Sequence, residues 1–525
     1  MNAKRLWKTV FFLGLVFDIL FWGKAPGISF PLFVALILLS GILLLADSGI
    51  RPNKRALGLI LPIGFFATMV FLRTEPLTTF LNYTLTFVFL GFFALTYRGG
   101  RWLSYSLSDY FLGFLRLGGN AVARPLYFIG KTRREQEQAG DTRVSGNFFP
   151  VLRGLLFALP IVVIFAALLS SADAIFAQRI EAFLKLFRLE NWAEYFWQGA
   201  LITLVAYLLA GFLLYAAQES QDEKLIGEEK PVLKPFLGFT EASIVLGSVL
   251  FLFSAFVLVQ FQYFFGGQAN IHLDGYTYAE YARRGFGELV TVALFSLFLF
   301  LGLSTITRRK AVRSRKIFSG MGIALVLLVL VILLSAFRRL TLYENVYGYS
   351  RLRIYSHVFM IWLGVLLVAV VVLEILQKQR SFAPAMTFAI IGFAATLNLL
   401  NVDGFIVRRN ILRSAWGANL DTHYLATLSD DMLPALVEGM RAADAPSQVR
   451  EELAVTAICH WYADEAHFKE KRPWQSFHLS YWQASRLYQE INPLDGYTVV
   501  DDGWTWHVNA PGGEIYDCPD RYDWD

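Results

Sequence analysis

Charged residues and cysteines are both scarce in this sequence. Only 17% of the 525 residues are Asp, Glu, Lys or Arg, 56% are hydrophobic, and there are two cysteines. A chain of this length with so little charge is too apolar for an ordinary soluble enzyme. The sequence also has no HExxH, no phosphate-binding P-loop, no GxSxG turn and no Cys/His spacing typical of a metal site. Hydrolase, ATPase and metalloenzyme activities therefore lack their usual motifs, and we predict neither a metal nor a cofactor.

The hydrophobic residues are concentrated in long runs that alternate with short charged loops. A helix needs about 20 apolar residues to cross the hydrocarbon core of a bilayer, where its backbone polar groups must be satisfied internally. We predict an all-α, polytopic transmembrane bundle of about eleven spans over residues 1–400, followed by a small C-terminal soluble α+β domain over residues 401–525. The predicted spans are 7–22, 28–46, 56–72, 76–96, 148–169, 194–216, 241–265, 285–305, 317–336, 354–376 and 383–400.

Lys and Arg residues are distributed unevenly between the predicted loops. If the N-terminus is cytoplasmic, the inner segments hold more than twice as many of them as the outer loops. Cytoplasmic loops carry such an excess, so the sequence predicts a multi-pass membrane protein with a cytoplasmic N-terminus and an extracytoplasmic C-terminus. Two amphipathic segments, residues 103–117 and 172–189, are predicted to lie in the interface, because their charges would be costly at the bilayer centre. If one of them crossed the membrane, the C-terminal domain would be cytoplasmic.

The C-terminal domain shows helical patterns near residues 422–441, 447–464 and 474–490, and then a possible hairpin formed by YTVV and WTWHV. Its two cysteines, Cys459 and Cys518, are the only ones in the chain. Two cysteines confined to an extracytoplasmic segment fit one disulfide, and two unpaired thiols are the alternative.

Three segments combine arginine, tyrosine and acidic residues, and the predicted topology places all three on the outer face: residues 270–288, 338–357 and 401–413. Paired arginines bind phosphate or carboxylate groups by bidentate hydrogen bonds, and tyrosine rings stack on sugars or headgroups. The alternative is architectural, since Tyr and Arg anchor helices at interfaces and Arg/Glu pairs lock loops in place. The candidate ligand-binding residues are Tyr278, Glu280, Arg283, Arg284, Arg339, Tyr343, Tyr347, Arg351, Asp403, Arg408 and Arg409.

Acid and base candidates are present, but their spacing identifies no catalytic site. They are Asp274, Glu280, Glu288, Glu344, Asp403, His272 and His357. Ionisable residues are also scarce inside the predicted spans, which argues against a proton-coupled carrier. The amide side chains in or near the spans more often join helices than bind a substrate; they are Asn82, Gln198, Gln260, Gln262 and Asn398.

Several stretches resemble a bacterial polytopic membrane family catalogued as domain of unknown function 4173, which is related to domain of unknown function 4153. The resemblance extends from the first span to about residue 440 and implies a multi-pass membrane fold without a known activity. It is carried by DILFWGKAPGISFPLF (18–33), RGLLFALPIVVIFAALLSSADAIF (153–176), TYAEYARRGFGEL (277–289), RLTLYENVYGYSRLRIY (339–355), NVDGFIVRRNILR (401–413) and LDTHYLATLSDDMLPAL (420–436).

Three functions fit these observations. The first is a non-enzymatic protein that binds an anionic lipid, a glycan or an envelope protein at its outer face, in sensing or assembly. The second is a transporter or flippase for an anionic or lipid-linked substrate, suggested by the number of spans. The third is a membrane transferase at the outer interface, with Asp274, Glu280 or Asp403 as the base beside His272 or His357. Nucleic-acid binding is not expected, because no basic stripe is interleaved with aromatic residues.

Overall fold

The structure of the chain is a computed structural model that describes residues 2–138, 192–221, 235–265, 286–309, 311–443, 445–463, 472–491, 496–501 and 506–519, with single positions between 158 and 225. Within these residues nine helices are long and apolar enough to cross a membrane. The chain is therefore a multi-pass helical membrane protein, as its hydropathy predicted. The predicted span at 148–169 and the amphipathic segment at 172–189 lie outside the described ranges.

The structure describes seven α-helices in the first part of the bundle. They are α1 (Ala3–Phe21), α2 (Ser29–Asp47), α3 (Lys54–Leu57), α4 (Ile60–Leu72), α5 (Pro76–Leu95), α6 (Leu107–Gln138) and α7 (Trp192–Gln218). The α1 helix packs lengthwise against α7, but its charged residues Lys4, Arg5, Lys8 and Asp18 make it more polar than the nine candidate spans. The amphipathic segment predicted at 103–117 belongs to a longer helix, α6, which packs along α7 and α5.

In the second part of the bundle, five α-helices lie within the described residues. They are α8 (Phe239–Phe265), α9 (Phe286–Ile306), α10 (Val312–Tyr347), α11 (Arg351–Ile375) and α12 (Phe382–Leu400). The α10 helix is eleven residues longer at its C-terminus than the predicted span 317–336. Most of the segment that we expected to be an outer loop, residues 338–357, is therefore helical, and only residues 348–350 separate α10 from α11. Gly348 ends α10 with a positive φ of 83°, which glycine adopts without a steric penalty.

We call the chain after Leu400 the tail; its described ranges form five α-helices and a small sheet. The helices are α13 (Val402–Ser414), α14 (Thr422–Ala426), α15 (Leu433–Arg441), α16 (Ser447–Ala463) and α17 (Leu479–Ile491). The predicted hairpin pairs β1 (Thr498–Asp501) with β2 (Trp506–Asn509) in antiparallel register, and β3 (Ile515–Asp517) adds a third antiparallel strand that the sequence did not predict.

The tail packs against one end of the bundle. Ile354 of α11, Leu397 of α12, Ile406 of α13 and Leu436 of α15 belong to one buried hydrophobic cluster, so the tail shares a core with the spans. Tail residues also hydrogen-bond the ends of earlier helices: the Ile28 N–H donates to the carbonyl of residue 477 at 2.9 Å, and Ser480 Oγ donates to the carbonyl of residue 72 at 2.8 Å. We call this end of the bundle the tail face and the other end the opposite face.

Close backbone packing fixes the tail on the bundle. A Cβ atom at Gly27 would lie 2.4 Å from the Phe477 carbonyl oxygen, so only glycine permits the approach that forms the hydrogen bond at Ile28. The N-terminus lies at the opposite face, because Arg5 forms an ion pair with Asp47 at the far end of α2. The α1 helix therefore runs from the opposite face to the tail face, and α2 runs back.

Candidate functional site

The centre of the tail face is a buried ion pair between two helices. Arg351, the first residue of α11, donates from Nε and Nη2 to the two carboxylate oxygens of Asp403 in α13, at 2.9 and 2.6 Å. Asp403 is fully buried, and it also accepts hydrogen bonds from the Ser429 N–H and hydroxyl at 2.8 and 2.7 Å. Bidentate, charge-assisted bonds of this kind are among the strongest in proteins. Both residues were predicted to bind a ligand, but in the structure they bind each other.

A second buried carboxylate, Asp431, joins the tail to the loop between α4 and α5. Its Oδ2 accepts hydrogen bonds from the N–H groups of Thr74 and Glu75 at 2.8 and 3.2 Å, and its Oδ1 accepts one from Ser480. Arg73 Nη1 lies 3.7 Å from Asp431 Oδ1. Burial raises the pKa of Asp431, although the Ser480 hydrogen bond, the charge of Arg73 and the Thr74 N–H all act to lower it. These bonds clamp the tail onto the α4–α5 loop.

Glu75 connects the two carboxylate sites. It caps the N-terminus of α5 by accepting hydrogen bonds from the N–H groups of residues 77 and 78 at 2.9 and 2.7 Å, and it also accepts a hydrogen bond from the Tyr355 hydroxyl. About two helical turns further along α5, Asn82 exchanges amide hydrogen bonds with Asn398 at 2.9 and 2.8 Å. Asn82 and Asn398 therefore join α5 to α12, as expected for buried amides in spans.

We call Glu75, Arg351, Tyr355, Asp403 and Asp431 the docking network. Each charged member is hydrogen-bonded or ion-paired to another protein group. Buried carboxylates held by arginine and backbone N–H groups stabilise an arrangement of helices, and they are not free to accept a substrate proton. The network is thus architectural and joins α5, α11 and the tail.

A different set of arginines lies at the edge of the tail face, around the link between α10 and α11. Arg409 and Arg413 lie near Tyr349, and Arg353 lies near Arg413; we call these three arginines the arginine cluster. Arg353 donates to the carbonyl oxygens of residues 347 and 348, and Arg413 donates to those of residues 345 and 346 at 3.3 and 3.0 Å. Arg409 stacks on the ring of Phe405, with its guanidinium carbon 5.1 Å from the ring centre.

The arginine cluster carries positive charge without a matching carboxylate in the described part of the chain. Burial lowers the pKa of Arg413, and the charge of Arg353 lowers it further, but an arginine remains protonated at any physiological pH. Burial also raises the pKa of Tyr349. A Cβ atom at Gly348 would lie 2.5 Å from Arg413 Nη1 and 2.7 Å from the side-chain oxygen of Asn410. Glycine at this turn therefore lets the cluster pack closely.

Exposed aromatic and aliphatic side chains border the arginine cluster. Trp416 is 91% exposed and Leu352 is 76% exposed, and Tyr347 and Leu412 are each more than half exposed. Arg409, Leu412 and Trp416 follow an i, i+3, i+7 spacing along α13 and the turn after it, which places them on one side. We call the four exposed residues Tyr347, Leu352, Leu412 and Trp416 the apolar rim. Amphipathic aromatic residues next to arginines are typical of a membrane–water interface.

The remaining candidate residues have separate surroundings. Arg339 is a residue of α10 whose Nη2 donates to Gln260 Oε1 of α8 at 3.0 Å, so it joins two helices. The rings of Tyr343 and Tyr347 are 4.8 Å apart, and Arg353 stacks on Tyr343 at 4.4 Å. Arg408 forms an exposed 3.5 Å pair with Glu438. The candidates outside the described residues are Tyr278, Glu280, Arg283 and Arg284.

Two members of the arginine cluster, Arg353 and Arg413, and three rim residues, Leu352, Leu412 and Trp416, were not among the candidate ligand-binding residues. Arg353 and Arg413 stand in the segments that we singled out, and Arg413 is four residues after Arg409, which predicts one helical face. That spacing was the available signal. Trp416 has no comparable signal, because nothing in the sequence shows that α13 ends against the C-terminus of α10.

His357 contacts Glu344, a carboxylate that the transferase hypothesis does not name as the base. Its Nδ1 lies 2.9 Å from Glu344 Oε1 and its Nε2 lies 3.3 Å from Thr341 Oγ1, whereas Asp403 is bound to Arg351. His272, Asp274 and Glu280 lie outside the described residues. Within the described ranges, no group of three His, Cys, Asp or Glu side chains could hold a metal ion.

Cys459 of α16 and Cys518, which follows β3, form a disulfide with their Cα atoms 5.5 Å apart. Both cysteines are buried in a small cluster with Ile458, Trp506 and Val508. The disulfide therefore fastens the three-stranded sheet to the helical part of the tail.

The chain was compared with protein families, curated proteins and solved structures. The model of the family described as Domain of unknown function (DUF4153) matches residues 60–439, a range that begins at α4 and ends in α15 and so includes the docking network and the arginine cluster. The match does not extend to the label 4173. No curated protein and no solved structure matches the chain.

Proposed function

Because the chain belongs to the DUF4153 family, whose description names no activity, we propose from its own geometry that it binds an anionic envelope ligand at the tail face. The observation that carries this proposal is the arginine cluster, three guanidinium groups without a carboxylate partner in the described residues, bordered by the apolar rim. The role is binding, in envelope sensing or assembly, and requires no catalysis by the chain.

The chemistry of the cluster favours a phosphate or a carboxylate on the ligand. A guanidinium group offers several N–H donors in a fixed plane that matches both anions, and it retains its charge at any physiological pH. Arg409 is exposed and stacks on the face of Phe405, a contact that leaves its N–H donors available to a ligand. The rim would contact the apolar part of an amphiphile. An anionic lipid headgroup uses both features, whereas a free sugar phosphate or an acidic glycan uses only the first.

The charge of the loops supports an extracytoplasmic tail face. Basic residues are concentrated in loops at the opposite face, in residues 51–55, 308–316 and 378–380, and an excess of Lys and Arg favours the cytoplasmic side. We therefore propose a bacterial inner-membrane protein whose N-terminus is cytoplasmic and whose tail is extracytoplasmic.

Transport and group transfer have less support from the described residues. Three of the five amides that would mark a polar path are engaged in helix contacts, since Asn82 pairs with Asn398 and Gln260 accepts from Ser335 and Arg339. Asp403, the transferase base that the structure describes, is fully buried in an ion pair. Neither arrangement offers a free group to a substrate.

Ligand binding can be measured with purified full-length protein in detergent. We expect dihexanoyl phosphatidylglycerol to bind in isothermal titration calorimetry, and Arg409→Gln to weaken that binding about tenfold, since one charge-assisted hydrogen bond contributes about 1.5–3 kcal/mol. Glycerol phosphate and an oligouronide, titrated separately, distinguish a headgroup from a glycan. Binding should weaken in 0.5 M NaCl, at which exposed charges are strongly screened.

Arg441→Gln is the matched control, because Arg441 is an exposed tail arginine paired with Glu490 and lies away from the cluster. It should bind all three probes like the unmodified protein. Equal affinities for Arg409→Gln and Arg441→Gln would rule out the arginine cluster as the site.

The side of the tail can be tested with introduced cysteines, because Cys459 and Cys518 are buried and bonded to each other. Glu438→Cys places a thiol on an exposed part of α15, and Lys316→Cys places one at the exposed start of α10. In intact spheroplasts an impermeant maleimide should label Glu438→Cys, and should label Lys316→Cys only after permeabilisation. The reverse pattern would place the tail in the cytoplasm and remove the proposal of an envelope ligand.

A further inference from the structure

A cavity of about 350 Å³ lies among the helices of the first part of the bundle. It is bounded by α1, α2, α5, α6 and α7. Its wall consists of aliphatic and aromatic side chains and three glycines, with Tyr97 at one end. None of the amides that would mark a polar path lines it. A dry apolar cavity of this kind is a binding site for hydrocarbon and a poor one for water.

The cavity belongs to the half of the bundle at the opposite face. From α2, which begins at the tail face, it is lined by residues 37–45, the second half of that helix. From α5, which also begins at the tail face, it is lined by residues 87–94. The arginine cluster and the docking network therefore lie at the other end of the helices, and this cavity is separate from the proposed ligand site.

The cavity reaches the lipid-facing surface. Two of its lining residues, Phe87 and Gly118, are exposed, so a hydrocarbon chain in the bilayer has access from the side. At Gly118 an added Cβ atom would meet no atom within 4 Å. The space is therefore open where α6 would otherwise project a side chain into it.

Cationic side chains lie at the end of the cavity that is nearest to the membrane surface. The N–H of Asn53 donates to the carbonyl of Tyr97, the residue at that end, at 2.8 Å. On either side of Asn53, the side chains of Arg51, Lys54 and Arg55 are exposed, and no ion pair involves them in the described part of the chain. An apolar cavity next to a cationic loop is complementary to a molecule that has a hydrocarbon chain and a negatively charged headgroup.

We propose that this cavity binds one acyl chain of an anionic phospholipid from the leaflet at the opposite face, with the headgroup held by Arg51, Lys54 and Arg55. The bilayer supplies this ligand from the side, so no separate entry path is needed. The lipid would fill the space between α6 and α2, and would thereby fix the position of α6 on the bundle. This site is independent of the arginine cluster and does not rest on the proposed function.

Gly118→Leu is the variant that tests the site, because its side chain would occupy the cavity without displacing an atom. The measurement is native mass spectrometry of delipidated full-length protein titrated with palmitoyl-oleoyl phosphatidylglycerol. It is made in the Arg409→Gln background, so that the tail face does not contribute. We expect one phosphatidylglycerol to bind, and Gly118→Leu to weaken it about tenfold, the effect of removing about two methylenes from apolar contact.

Gly119→Leu is the matched control. Gly119 neighbours Gly118 on α6, is also exposed, and an added Cβ atom there also meets nothing within 4 Å, but it does not line the cavity. It should bind phosphatidylglycerol like the parent protein. Replacing Arg51, Lys54 and Arg55 together by Gln should abolish the preference for phosphatidylglycerol over phosphatidylcholine while leaving binding of the acyl chain.

A cross-linking measurement on the parent protein does not depend on the folding of any variant. Phosphatidylglycerol with a diazirine on one acyl chain should label peptides from residues 37–45 or 209–216, both of which line the cavity. Labelling confined to peptides that do not line the cavity would overturn the proposal. So would equal phosphatidylglycerol affinity for Gly118→Leu and Gly119→Leu.

Discussion

Asp403→Asn is expected to lower the free energy of unfolding of the tail by about 3–5 kcal/mol, the usual cost of leaving one partner of a buried ion pair unpaired. The substitution keeps the size of the side chain but removes the charge that Arg351 faces at 2.6 and 2.9 Å. The Arg351 guanidinium would then be largely buried without a counter-ion. Urea-dependent pulse proteolysis of the detergent-solubilised protein, read as loss of the intact tail, measures the change.

Glu438→Gln is the matched control for this prediction. Glu438 pairs with Arg408, which lies on α13 like Asp403, but both side chains of that pair are at least half exposed. Exposed ion pairs contribute about 0–1 kcal/mol, so the two substitutions should differ by several-fold in energy. Equal effects would show that the Arg351–Asp403 pair does not hold the tail.

A double substitution separates the cost of an unpaired charge from the value of the pair. Arg351→Met with Asp403→Leu removes both charges, and apolar replacements of buried ion pairs are often neutral or stabilising. We expect the double variant to be more stable than Asp403→Asn alone. Recovery should be partial, because the Ser429 N–H and hydroxyl would lose the acceptor that Asp403 provides.

The transmembrane helices could be predicted from the sequence because each carries its own signal. A run of apolar residues long enough to cross the bilayer forms a helix whatever its neighbours are, and the helices described from α2 to α12 include nine such candidates. The predicted C-terminal end of the α10 span, residue 336, was wrong for a physical reason, because α10 continues to Tyr347. Residues 338–347 are polar enough to suggest a loop, but their helix is supported by Arg413, which donates to the carbonyls of residues 345 and 346.

The pairing of the polar residues could not be predicted in the same way. Arg351 and Asp403 are 52 positions apart, and Tyr355 and Glu75 are 280 positions apart, so no local spacing relates them. The sequence identified Arg351 and Asp403 as unusual polar residues at a membrane interface. It could not show that they neutralise each other, nor that Arg353, Arg409 and Arg413 remain without a carboxylate in the described residues.

Local spacing also does not distinguish the two kinds of arginine at the tail face. Arg351 is the first residue of α11 and points into the contact with α13, whereas Arg353, two positions later, lies on another side of the helix. Arg351 pairs with Asp403, whereas Arg353 donates to the carbonyl oxygens of residues 347 and 348, and these partners depend on where the tail packs. A ligand hypothesis for this face therefore has to rest on the three clustered arginines, and the docking network holds the helices that present them.

Removing the disulfide is expected to destabilise the tail by about 4 kcal/mol. In the chain-entropy model, a bond that closes a loop of 59 residues reduces the freedom of the unfolded chain by about that amount at 25 °C. The three strands contain only eleven residues in total, too few to form an independent core. Cys459→Ser with Cys518→Ser should therefore release the sheet from α16, and pulse proteolysis in urea should show a lower midpoint.

Dithiothreitol provides the control for this prediction. Reduction of the unmodified protein should lower the midpoint as far as the double substitution does, and it should have no further effect on the double variant, which has no remaining cysteine. A double variant as resistant as the oxidised protein would show that Ile458, Trp506 and Val508 hold the sheet by packing alone. Because the bond links α16 to the residue after β3, its loss should leave the docking network and the arginine cluster in place, so Arg409-dependent ligand binding should survive.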